Sequence, residues 1–150
     1  MSLIELIDKR TVKVPLEARD KQGVLRELVN LLASATDKVS DPEALYRAVL
    51  DREALGSTGL SEGIAVPHGK TNAVRNVCLA IGVAPEGIAF DATDGKPSRL
   101  FFLIAASADK AGPHIAALAD IARLAQSGAL IKALVRARDA SELIAILQGD

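Results

Sequence analysis

The sequence predicts an α/β fold: one three-layer domain over residues 1–150, with a mixed sheet of about five strands between two layers of helices. Two apolar runs carry the prediction, "VCLAIGVA" (77–84) and "LFFLIAA" (100–106). Neither alternates with polar residues, which is the pattern of strands buried on both faces. Around them lie segments of helical periodicity on both sides in the chain. Their order is not a regular strand–helix alternation, so the sheet is expected to be mixed rather than all parallel.

Taken in order, "TVKVPL" (11–16) alternates weakly and reads as a short strand stopped by Pro15. Asp20 is placed as an N-cap before Val24, Leu25, Leu28, Val29 and Leu32, which recur at helical spacing. "SDPEALYRAVLDREALG" carries the clearest helix signals. Asp41 caps it, Pro42 sits in its first turn, and Gly56 follows its end. "GIAV" (63–66) reads as a short strand. Pro85, Gly87, Asp94, Gly95 and Pro97 mark turns between the two apolar runs, so those runs are expected to pair antiparallel. Helices are then expected from Pro113 to about Gln126, from about Ala129 to Arg136, and from Ala140 to about Gln148. Asp139 with Glu142 has the spacing of a capping box for the last.

Composition removes several classes of function. A net charge of −1 leaves no basic footprint for nucleic acid or an acidic membrane. No apolar run approaches the ~18 residues of a membrane span, so no membrane insertion is expected. The start, "MSLIELIDKR", lacks the basic and long apolar regions of a signal peptide. A single cysteine, Cys78, excludes an internal disulfide framework, and a cytoplasmic setting is expected.

The chain has two histidines, and one of them stands in "GIAVPHGK". Pro67 limits where the His68 imidazole can point. Gly69 carries no side chain, so an anion can approach its backbone N–H. A neutral imidazole is a nucleophile at cytoplasmic pH, so this setting suits phosphoryl acceptance. Arg52 falls on the apolar face formed by Leu45, Ala48 and Val49, while Glu43, Arg47, Asp51 and Glu53 are read as pointing elsewhere. A guanidinium on such a face either reaches solvent along its stem or meets an anion, and phosphate oxygens fit its fork. His114 is expected in the first turn of a helix, where free N–H groups favour an anion.

Other chemistries fit less well. "GLSEG" (59–63) matches the G-x-S-x-G nucleophile elbow, and Asp91 or Asp109 and then His114 follow in hydrolase order. That elbow needs a strand before its serine and a helix after it, and here the order is reversed. Two histidines without a cysteine cluster make a poor metal site, so no metal is expected. Cys78 lies inside an apolar strand and reads as a small hydrophobe. No glycine-rich nucleotide motif is present, and no cofactor is implied.

The segment "ALGSTGLSEGIAVPHGK" resembles the phosphorylation-site signature of the enzyme IIA proteins of the bacterial phosphoenolpyruvate:sugar phosphotransferase system, fructose/mannitol type, which includes the nitrogen-regulatory branch. Ser61 departs from it, standing where the family usually has Gly or Ala. Arg52 lies 16 residues before His68 and His114 lies 46 after it, matching the family's arginine and second histidine. The likeness in element order runs over nearly the whole chain.

The resemblance implies a phosphorelay. His68 would accept a phosphoryl group from phosphorylated HPr or its nitrogen-branch paralogue, then pass it to a cysteine of an enzyme IIB in fructose-like sugar uptake. Arg52 would neutralise the transferring oxygens and His114 would donate a hydrogen bond. The backbone around Gly69, with the hydroxyls of Ser57 and Thr58, would complete the phosphate contacts, and an apolar rim would dock the partners. The alternative is a nitrogen-type regulatory protein whose phosphorylation state controls binding to target proteins. The resemblance assigns no role to Lys70.

Overall fold

The computed structural model of the chain describes residues 3–109 and 111–149. Its helices are α1 (Leu3–Leu6), α2 (Lys21–Ala35), α3 (Pro42–Leu55), α4 (Ala111–Leu124), α5 (Gly128–Val135) and α6 (Ala140–Leu147). Its strands are β1 (Val12–Lys13), β2 (Ile64–Ala65), β3 (His68–Lys70), β4 (Cys78–Ile88) and β5 (Ser98–Ala106). The sheet runs β1-β4-β5-β2, and β3 also pairs with β5. Among the described strands, β4 and β5 pair antiparallel, whereas β1 on β4, and β2 and β3 on β5, are parallel. The fold is therefore the expected three-layer α/β domain with a mixed sheet.

Alternation along the two central strands builds a core on each face. Cys78, Ala80, Phe101, Leu103 and Ala105 join Leu25, Leu28, Leu32, Leu45 and Val49 of α2 and α3. Leu79, Ile81, Leu100, Phe102 and Ile104 join Ala117, Ile121, Ile131 and Leu143 of α4, α5 and α6. Both faces are buried, which is why these strands read as continuous apolar runs.

The helix ends follow local chemistry. The carboxylate of Asp20 accepts from the Gly23 amide at 2.7 Å, and that of Asp41 accepts from the Glu43 and Ala44 amides. Asp139 accepts from the Glu142 amide at 2.8 Å. Three expectations are corrected. The first strand is only Val12–Lys13, because Pro15 has no N–H to continue the ladder; the Leu16 N–H then bonds the Val83 carbonyl of β4 at 2.8 Å. The α4 helix begins at Ala111, two residues before Pro113. The His68–Lys70 strand and the short α1 helix were not foreseen, because neither is long enough to show a period in the sequence.

Candidate functional site

Strands β3 and β5 run parallel, so their carboxyl ends lie at the same end of the sheet. The α4 helix starts there, a few residues after β5 ends, and ligand sites in α/β sheets favour this position. His68 pairs with Ile104, whose side chain joins the α4 face of the sheet. His114, in the first turn of α4, meets it. The two ring centroids are 5.2 Å apart, with the planes tilted by 50°.

The two imidazoles sit in different electrical settings. His68 Nδ1 lies 2.9 Å from the Val66 carbonyl oxygen. A carbonyl only accepts, so Nδ1 carries the proton and Nε2 keeps a free lone pair. Burial pushes the His68 pKa down. The Val66 hydrogen bond and the Glu53 charge oppose that shift, and Arg52 and Lys70 add to it. His114 is only 4% exposed, and neither of its ring nitrogens has a hydrogen-bond partner among the described residues. Burial, with the charges of His68 and Lys70, pushes its pKa down to about 4, so it is neutral at physiological pH.

Arg52 lines a pocket of about 190 Å³ together with His68, Ser57, Thr58, Leu60 and Leu118. One guanidinium N–H is used: Nη1 donates to the Gly56 carbonyl at 2.8 Å. The remaining N–H groups of the fork are not needed for that bond. Larger grooves of about 460 and 510 Å³ lie elsewhere, and neither is lined by a histidine. The smaller pocket holds the His68 imidazole beside the Arg52 guanidinium. Lys70, exposed on β3, shares the His68 face of the strand and contributes positive charge to both histidines.

Four sequence expectations need correction. The Ser57 hydroxyl donates to the Phe90 carbonyl at 2.6 Å, and the Thr58 hydroxyl donates to Glu53. Both residues line the pocket, but their protons are committed to the fold. Gly69 faces the other way. The Ile104 N–H bonds the Pro67 carbonyl and the Thr71 N–H bonds the Ala106 carbonyl, each at 3.0 Å. Ladder bonds alternate along a parallel strand, so the Gly69 amide is turned toward β5. A Cβ there would stand 3.0 Å from both the backbone N and Cγ2 of Val49, so glycine is needed for strand–helix packing. Finally, Glu53 is buried with Leu45 and Val49, whereas Arg52 sits at the edge of that stripe.

Ser61 fits its place without strain. It opens a short 3-10 turn in which the left-handed residues are Glu62 (φ 66°) and Gly63 (φ 80°). Around that turn, residues 58–60 pair with 64–66 as a small hairpin. Its bonds are Leu60 N–H to the Ile64 carbonyl at 2.8 Å and Val66 N–H to the Thr58 carbonyl at 3.0 Å.

Comparison with known proteins agrees with this geometry. Residues 5–149 match the family described as "Phosphoenolpyruvate-dependent sugar phosphotransferase system, EIIA 2". Over 147 residues the chain is 36% identical to the fructose-specific EIIABC component of Bacillus subtilis, covering 98% of this chain and 23% of that protein's own length. The crystal structure of nitrogen regulatory protein IIA-Ntr from Neisseria meningitidis superposes with a TM-score of 0.86 at 28% identity, covering 97% of this chain and 98% of the other. Enzyme IIAMTL of Escherichia coli, in its NMR complex with phosphorylated enzyme IIBMTL, gives 0.81 at 26% identity, covering 96% and 98%. A fold, a histidine pair and a signature segment thus converge on one assignment: this chain belongs to the EIIA 2 family of phosphotransferase-system components.

Proposed function

We propose that the protein accepts a phosphoryl group on Nε2 of His68 from a phosphorylated HPr-like carrier and passes it to the cysteine of an enzyme IIB. The observation that carries this reading is His114: a buried, neutral imidazole with both nitrogens unpartnered among the described residues, beside a histidine whose free lone pair is on Nε2. An unpaired buried polar group is costly, and a site that binds a phosphoryl group recovers that cost during transfer.

The Nε2 lone pair attacks phosphorus in line, and the bond from phosphorus to the donor's nitrogen breaks, returning its electron pair to the donor. In the second step a cysteine thiolate attacks the same phosphorus and the bond to His68 breaks. Little covalent help is needed; position and charge do the work. Arg52 and Lys70 supply positive charge, and His114 supplies one N–H from a neutral ring. Burial pushes the His68 pKa down, which favours the free base that the attack needs. Around the site, Leu60, Leu55 and Ile115 are exposed apolar side chains suited to docking a partner and excluding water.

The reading of enzyme IIB as acceptor in a fructose-like uptake system is supported by likeness to the fructose-specific component and to the IIA partner of the solved complex. A second reading, a regulatory protein whose phosphorylation controls docking on target proteins, is favoured by the likeness to IIA-Ntr along nearly its whole length. Both readings use the same acceptor histidine and place the protein in the cytoplasm.

The test is incubation with phosphoenolpyruvate, enzyme I and each candidate carrier, followed by intact-mass measurement. One acid-labile phosphoryl group on the wild type and none on a folded His68→Ala variant is expected. Stoichiometric labelling of that variant sinks the reading. The carrier that donates, and transfer onward to a IIB cysteine, separate the two uses.

A further inference from the structure

Glu53 has no role in the chemistry above, yet its carboxylate is among the most firmly held groups near the site. Its side chain is 5% exposed, and Lys21 Nζ, at the start of α2, lies 2.9 Å from Oε2. The Thr58 amide approaches both carboxylate oxygens, at 3.3 and 3.2 Å, and the Thr58 hydroxyl donates to Oε1. Thr58 passes this constraint on. Its carbonyl accepts the Val66 N–H at 3.0 Å, and the Val66 carbonyl accepts the His68 Nδ1–H at 2.9 Å. One hydrogen-bonded line thus runs from Lys21 through Glu53, Thr58 and Val66 to the imidazole.

We propose that Glu53 is the positioning residue for His68: by clamping Thr58 it fixes the Val66 carbonyl, and so sets which imidazole nitrogen carries the proton and where Nε2 points. A buried carboxylate keeps its donors because losing one leaves an uncompensated charge. The clamp therefore holds the open end of the 58–66 hairpin, opposite the tight turn at Glu62 and Gly63. It also spans elements that are remote in sequence, tying the start of α2 and the end of α3 to the strand that enters the site. The effect on rate rests on the reading of His68 as the phosphoryl acceptor; the effect on the tautomer does not.

The test compares the wild type with Glu53→Gln, whose amide presents N–H groups where the carboxylate accepts. Long-range proton–nitrogen NMR of the histidine rings is recorded at a pH where both are neutral, alongside the rate of phosphoryl acceptance. The wild type is expected to show His68 as the Nδ1–H tautomer alone. The variant is expected to populate both tautomers and to accept phosphate about 10- to 100-fold more slowly, as small misplacements of reacting groups do.

An unchanged tautomer in the variant overturns the proposal, whether or not the rate falls, because Glu53 would then act on the fold and not on the ring. A mixed tautomer with an unchanged rate overturns it too. Should Glu53→Gln fail to fold, Glu53→Asp keeps the charge beside Lys21 but draws the carboxylate back from the Thr58 amide and hydroxyl; a wild-type tautomer there is equally fatal. If the wild type accepts no phosphoryl group, the functional reading fails and the tautomer comparison alone decides the positioning.

Discussion

His68 and His114 face each other with ring centroids 5.2 Å apart, one held by a backbone carbonyl and the other without a polar partner among the described residues. The pair exists because β3 and β5 are parallel and α4 follows directly from β5. Their difference in partners fits the two roles proposed for them, a nucleophile with a fixed lone pair and a neutral hydrogen-bond donor.

Removing that donor should slow transfer without abolishing acceptance. His114→Ala is expected to lower the single-turnover rate from a phosphorylated carrier by about 10²- to 10³-fold, the usual effect of losing one preorganised donor. Arg52→Ala should do the same, and Arg52→Lys should be intermediate, because it keeps charge but loses the fork. Wild-type rates in these variants would make both residues bystanders.

Acid should destabilise the fold through the buried histidine. His114 titrates at about 4 in the folded chain, against ~6.5 for a free imidazole. Between those values the unfolded chain binds a proton that the folded chain refuses. Stability is therefore fully present above pH ~6.5 and is lost as pH falls toward 4, by about 3 kcal/mol from this group. His68 is shifted in the same direction and adds to the slope. Urea unfolding as a function of pH should show a shallower loss in His114→Leu than in the wild type; parallel curves would contradict the assignment.

Gly69→Ala should be destabilising by about 1–3 kcal/mol, the usual cost of overpacking. The new methyl would stand 3.0 Å from the Val49 backbone nitrogen, and helix backbone cannot step aside as a flexible side chain can. A chemical-denaturation midpoint equal to that of the wild type would show that α3 and β3 are less tightly packed than described.

For Ser57 the expectation is loss of stability with little loss of transfer. Its hydroxyl donates to the Phe90 carbonyl at 2.6 Å and accepts the Gly59 amide at 3.0 Å, so Ser57→Ala should cost about 1 kcal/mol. A variant with wild-type stability and severely slowed transfer would return the hydroxyl to the list of phosphate ligands.

The sequence by itself determined whatever depends on neighbours a few residues apart. Asp20, Asp41 and Asp139 announced their helices because an N-cap acts within three residues. The runs at 77–84 and 100–106 announced β4 and β5 because each residue of a doubly buried strand meets an apolar layer. His68, Arg52 and His114 were legible as candidates from the signature and its spacing, and the fold brings the two histidines together and places Arg52 in the His68 pocket.

Only the tertiary structure decided the partners. Arg52 and Glu53 are adjacent on α3, and the helical pattern favoured the arginine as the buried charge. Lys21, thirty-two residues earlier, and Thr58, beyond the helix end, instead draw Glu53 inward. Gly69 looked like room for an anion until Val49 was found against it, and Ser57 looked free until Phe90 claimed its proton. The reason is physical: a side chain's hydrogen-bond partner is set by which distant segments pack together, and periodicity records only the face of a helix or strand, not what lies opposite it.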